Sequence, residues 1–170
     1  TKFSEGSIYD TRQIQGYAGS SSLKGTKDLL IIASGYDTNL IAKVAQYKES
    51  AEIVQILGFP SLRADMYQEN VLRTIAAAES FTAKTLAEPI FAPASDPFET
   101  ANVVESFILD NDCLEKFDHI YICPLSTKAQ TLGIGLAYQN TFVGKPVSLL
   151  FPFTSKYSKE TSVGISKVWL

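Results

Sequence analysis

From Leu29 onward, continuous apolar runs of strand length alternate with stretches whose apolar residues recur at helical spacing. The first run, "LLIIAS" (29–34), breaks at "GYD", and "NLIAKVAQYK" then sets Leu40, Ile41, Val44 and Ala45 on one helical face. "EIVQILGF" predicts a second strand ending in Gly58, and "MYQENVLRTIAAAESF" a second helix with Val71, Leu72, Ile75 and Ala78 on one face. "EPIFAPAS" reads as a short third strand, followed by a helix over "PFETANVVESFIL" that groups Ala101, Val104, Phe107 and Ile108. "DHIYICPL" is the fourth strand, "KAQTLGIGLAYQ" the fourth helix, "KPVSLLFPF" the fifth strand and "VGISKVWL" a candidate sixth.

A sheet with one face in water would alternate apolar and polar residues; these strands do not, so both faces are covered. Strands alternating with amphipathic helices give an α/β domain: a single doubly wound, Rossmann-like, mostly parallel sheet of five to six strands with helices on both faces. The expected domain spans 29–170. Residues 1–28 are rich in Ser, Gly, Thr and Lys and read as a leader or linker with one short strand around Ile8. The chain starts at Thr1 without an initiator Met and stops at Leu170 inside an apolar stretch, as expected of a piece of a longer protein or of a chain ending on a strand.

Length and composition narrow the classes. The 170 residues suffice for one full core, and shares of 45% apolar and 19% charged residues are ordinary for a globular domain. A net charge of −3 with the signs interspersed, and no basic stripe, disfavours binding of duplex nucleic acid. No apolar run reaches the roughly 18 residues that cross a bilayer, so no membrane partner is expected. Two cysteines, Cys113 and Cys123, without C-x-x-C spacing and with a single histidine argue against a metal site and fit a reduced, cytoplasmic setting.

Ligands of open α/β sheets bind beyond the carboxyl ends of the strands, where the strand order reverses. That selects five loops: "SGYD" (34–37), "GFPSLRAD" (58–65), "PASDP" (93–97), "PLSTK" (124–128) and "PFTSKYSK" (152–159). In the fourth, Lys128 stands in the opening turn of a helix, an end that already carries about half a positive charge and favours anions. Two readings stay open. Thr127 and Gln130 have the spacing of a capping box, in which Thr127 accepts from the N3 amide and Gln130 reaches back to the Thr127 amide. Alternatively the free amides and the lysine hold a phosphate or carboxylate, with Gly133 and Gly135 letting the helix lie close to the sheet.

The other loops supply the remaining candidates. Gly35, after Ser34, permits close approach of a ligand; Asp37 or Thr38 would cap the next helix; Arg63 could clamp an anion at the rim. Asp96, Pro97 and Glu99 form a helix start that structure alone explains. The candidate ligand-binding set is Ser34, Gly35, Asp37, Arg63, Asp96, Ser126, Thr127 and Lys128, with no catalytic residue, metal ligand or cofactor assigned. G-x-G-x-x-G, the Walker P-loop and G-x-S-x-G are all absent. His119 opens the fourth strand, at the far end of the sheet, which excludes a Ser–His–Asp triad.

"CPLSTKAQTLGIGLA" resembles the strand–loop–helix element of CARF domains, Rossmann-like sensors of cyclic oligonucleotides. Ser126, Thr127 and Lys128 match the loop that meets ligand phosphates there; Pro124-Leu125 replaces the usual glycine pair. The resemblance implies a nucleotide-like anionic ligand, a homodimer, a defence-associated sensor role and a place within a larger protein. "TLGIGLAYQNTFVGKPVSLL" is similar to the late helix and following strand of nucleoside deoxyribosyltransferases and TIR-like domains, with Thr131 where that group has its glutamate. Three functions follow: an anion- or nucleotide-binding sensor; a glycosidic-bond hydrolase or transferase using Asp37, Asp96 or Glu99 as acid; or an interaction module whose polar loops only cap helices and whose tail docks through Phe151, Phe153, Tyr157 and Trp169.

Overall fold

A computed structural model describes residues 8–20, 27–63, 66–79 and 88–155. Six strands, β1 (Ile8–Gln13), β2 (Asp28–Ala33), β3 (Glu52–Gly58), β4 (Ile90–Ala92), β5 (His119–Pro124) and β6 (Val147–Thr154), form one sheet in the order β1-β6-β5-β2-β3-β4. The five strands from β2 to β6 run parallel, and β1 adds antiparallel to the outer edge of β6, with Ile8 opposite Thr154 and Gln13 opposite Leu150. The connecting helices are α1 (Thr38–Tyr47), α2 (Met66–Glu79), α3 (Pro97–Asp110), the short α4 (Cys113–Lys116) and α5 (Lys128–Ala137), the last continuing into a π-helical turn over Tyr138–Phe142. The architecture is therefore α/β with a single, mostly parallel, Rossmann-like sheet between helices.

The two faces of the sheet bury two separate cores, as the unbroken apolar strands require. Leu29, Ile31, Ala33, Ile120 and Ile122 face α3 and α5, where Ala101, Val104, Ile108, Ile134 and Ala137 meet them. Leu30, Ile32, Tyr121, Cys123 and Leu150 face the opposite way, against Ile41, Val44 and Ala45 of α1. On α1 and α3 the apolar stripes read from periodicity are the buried ones, with Leu40 and Phe107 half-buried at their margins.

Among the described residues the sixth strand is β1, the short strand expected around Ile8; the candidate "VGISKVWL" lies outside them. Ile8–Gln13 falls within the segment read as a leader carrying one short strand. Helix α2 departs from its periodicity reading: Leu72 is 68% and Ile75 52% exposed, and only Val71 of the expected stripe is half-buried, Ala78 lying outside the side chains described. The sheet beneath explains this. Among the described residues, the sheet beyond β3 offers the three residues of β4, too little surface to cover a stripe on a fourteen-residue helix. Phe59, Phe91 and Tyr67 form an aromatic cluster on that same flank, with ring centroids 4.9 and 6.1 Å from Phe59.

Candidate functional site

Strand order reverses between β2 and β5: the chain moves outward from β2 through β3 to β4, then returns to the other side of β2. The switch point therefore lies between the loops Ser34–Asp37 and Leu125–Thr127. Of the five loops chosen from sequence, these two form its floor.

The β5–α5 loop is tied down by short polar contacts. Thr127 is the N-cap of α5 and its hydroxyl accepts from the Gln130 amide at 3.2 Å, as the capping reading requires. The same hydroxyl donates to the Ala94 carbonyl at 2.6 Å, joining the loop to the one that follows β4. The reciprocal half of the capping box is not made. The Gln130 side chain is buried and turns inward, its Nε2 donating to the Ala92 carbonyl at 3.0 Å and its Oε1 accepting from the Ser126 hydroxyl. A buried β4 carbonyl is a stronger claim on that amide than a half-solvated backbone N–H, because leaving it unpaired costs about 1–3 kcal/mol.

Gly35 is buried where the two loops meet. A side chain there would press into the backbone carbonyl of Leu125, so the close approach that glycine allows is used by the protein itself rather than left open for a ligand. Ser34 is buried beside it and donates to Gln55 Oε1 at 2.6 Å. Gln55, the buried polar residue of the strand "EIVQILG", thus anchors the serine; its position between apolar neighbours was the available sign.

The remaining candidates sit around this floor. Asp37 caps α1, accepting from the Leu40 amide at 3.3 Å. Asp96 caps α3, accepting from Phe98 at 2.9 Å and Glu99 at 3.0 Å. Arg63 is exposed in the β3–α2 loop, its carbonyl accepting from Ser61 Oγ at 2.6 Å and from the Met66 amide at 3.0 Å. The β3 and β4 loops are in turn linked, the Ala94 amide donating to the Pro60 carbonyl at 2.9 Å. Ser34, Gly35, Ser126, Thr127 and Lys128 are gathered at the switch point, Asp37 follows Gly35 by two residues, and Arg63 and Asp96 belong to the outer loops. The fifth loop begins later than expected, since β6 continues to Thr154, and positions 156–159 lie outside the described residues.

Lys128 is the exposed member of the group. It occupies the first helical position of α5, and its own amide and that of Ala129 belong to the helix turn that lacks intrahelical acceptors. No acidic side chain among the described residues is paired with it. The Cα of Gly133 abuts α3: a methyl there would meet the Pro97 carbonyl and lie 2.7 Å from Thr100 Cβ, so this glycine brings α5 against α3 rather than against the sheet. Gly135 has open space around its Cα and plays no such part.

Among its described residues the arrangement offers cationic and amide donors at one edge and no assembled acid–base or nucleophilic pair. Among the described residues there is no group of three or more His, Cys, Asp or Glu that could hold a metal, and no helix long and apolar enough to cross a membrane. Cys113 and Cys123 are both free and buried, and burial pushes each thiol up, away from the thiolate form a nucleophile needs. A depression of about 320 Å³ lined by Arg12, Gln13, Ile14, Gln15 and Phe153 lies at the antiparallel β1–β6 edge, two strands away from the switch point. Neither a protein-family model nor a curated protein sequence matches this chain.

Proposed function

We propose that the rim of the β2–β5 switch point binds a small anionic ligand of nucleotide type, and that the domain is a recognition or sensor module. The observation that carries this is Lys128: an exposed ammonium, without an acidic partner among the described residues, at the amide-bearing end of α5. A cation at that end adds to the positive end of the helix dipole, and an anion placed there relieves both. The deeper polar groups support binding at the rim. Ser34, Gln55, Ser126, Thr127 and Gln130 already bond one another or the backbone, so they stiffen the floor beneath the ligand. The likeness of Ser126-Thr127-Lys128 to a phosphate-meeting CARF loop agrees in the sign of the ligand's charge.

Of the acids named for glycosidic-bond cleavage, Asp37 and Asp96 serve as helix caps, and Glu99 is exposed beside Asn102 Nδ2 at 3.4 Å. No observation favours that chemistry over binding. The test is calorimetric titration of the parent and Lys128→Ala with inorganic phosphate, mononucleotides and cyclic oligonucleotides at low salt. The expected result is saturable binding by the parent, weakened about tenfold or more in Lys128→Ala, as for loss of one charge-assisted contact. Absence of binding by every anion, or equal binding by both proteins, overturns the proposal.

A further inference from the structure

Residues Ile14–Ser20 cross the start of β6 as a strap. The Ile14 amide donates to the Leu149 carbonyl at 2.8 Å, Leu149 donates back to Tyr17 at 3.0 Å, and Ser20 donates to Lys145 at 3.1 Å. The Tyr17 and Tyr138 rings meet at 5.1 Å. Gly19 lies flat on β6, where a side chain would run into the Val147 and Lys145 backbone. Its amide donates to Ser148 Oγ at 2.9 Å, and that hydroxyl lies 2.7 Å from His119 Nε2.

With His119 as its neutral Nδ1–H tautomer, every hydrogen of this small network has an acceptor. An amide can only donate, so Ser148 accepts from Gly19; its own hydrogen then needs an acceptor, and neutral His119 supplies one at Nε2. Ser148 is fully buried, so its hydrogen does not face bulk solvent. A proton on Nε2 would turn the acceptor into a donor. Ser148 would then face two donors, with its own hydrogen unpaired in a dry site.

The surroundings set the charge balance. His119 is buried, and its ring lies 4.4 Å from that of Tyr121 on the same strand, tilted by 35°. Asp28 is its register partner on β2, but that carboxylate is engaged by Lys48, from the end of α1, at 3.2 Å. The Lys48 ammonium also sits over the Tyr121 ring at 3.6 Å. Asp118, next in the chain, accepts from the Lys27 amide at 3.0 Å, and Lys27 reaches Glu52 of β3 at 3.8 Å. Burial holds the imidazole below the ordinary histidine value; Asp28 opposes that and Lys48 reinforces it.

We propose that the Ile14–Ser20 strap is a proton-released latch: protonation of His119 unseats Gly19 from Ser148 and frees the strap from the start of β6. With the imidazole less basic in the folded chain, the unfolded state binds the extra proton first. The latch's contribution is therefore complete above the ordinary value near 6.5 and is lost as pH falls through the lower folded value.

His119 is the chain's single histidine, so its ring protons give one unambiguous signal. The experiment follows that signal together with amide-exchange protection of Gly19 in the whole chain, from about pH 7.5 to about pH 5. Gly19 is expected to lose about tenfold or more of its protection with the same midpoint as the ring, while Ile31 in β2 keeps its own. In His119→Gln, whose amide oxygen can accept without titrating, Gly19 protection is expected to stay flat. Protection that is flat in the parent, or that falls equally in His119→Gln, overturns the latch. If the glutamine variant does not fold, separate midpoints for ring and amide in the parent do the same.

Discussion

A methyl group at residue 35 would collide with the Leu125 carbonyl, a backbone atom that cannot rotate away. Gly35→Ala is therefore expected to lower stability by about 1–3 kcal/mol through forced displacement of one of the two central loops. The measurement is the urea midpoint, with an unchanged m-value marking an effect on stability alone. Lys128→Ala should leave that midpoint within about 0.5 kcal/mol, since the side chain stands in solvent, so the two variants separate the floor of the site from its rim. Gly35 was legible as a place of close approach, but the approaching group was not, because a contact between the β2 and β5 loops depends on strand order. Gln130 shows the same limit. Its spacing from Thr127 fits a capping box, while its amide answers a β4 carbonyl that only the folded sheet brings within 3.0 Å.

Helices α3 and α5 meet through a glycine on one and the N-terminal turn of the other, and the two glycines of α5 are opposed in what they tolerate. Alanine is the better helix former by about 1 kcal/mol, so Gly135→Ala, pointing into open space, is expected to stabilise by up to that amount. Gly133→Ala gains the same propensity but drives a methyl into the Pro97 carbonyl, and the net change is expected to be a loss of about 1–3 kcal/mol. Thermal unfolding of the two variants checks the opposite signs. Periodicity identified α1 and α3 with their buried stripes because each lies over full-length central strands. It failed on α2 because a stripe becomes a core face only where there is sheet to receive it, and β4 is three residues long.

The described residues form a parallel sheet with one antiparallel strand on its β6 side. The parallel part was readable from the alternation of apolar runs and helical stretches, each a local pattern. The closing strand was visible only as a short piece around Ile8, since "IYDTRQ" gives no hint of a partner as distant in the chain as Thr154, which Ile8 faces. A chain beginning after Gln13 would leave the Leu150–Thr154 part of the outer edge of β6 without its pairing strand. Five residues of bare strand edge are a template for pairing between molecules, so this truncation is expected to form oligomers or aggregate. Light scattering after gel filtration would show it; a monodisperse product of unchanged mass per chain would contradict it.

Pairing of β1 with β6 also orders events during synthesis. Ile8–Gln13 leaves the ribosome before the other five strands, yet its hydrogen-bonding partner is translated last among them. Helices and neighbouring parallel strands have nearby partners and can form as they emerge, whereas this contact must wait until the chain has been made past Thr154. The earliest strand to emerge is thus held over to seal the sheet, and a nascent chain stalled short of β6 exposes it to solvent and chaperones.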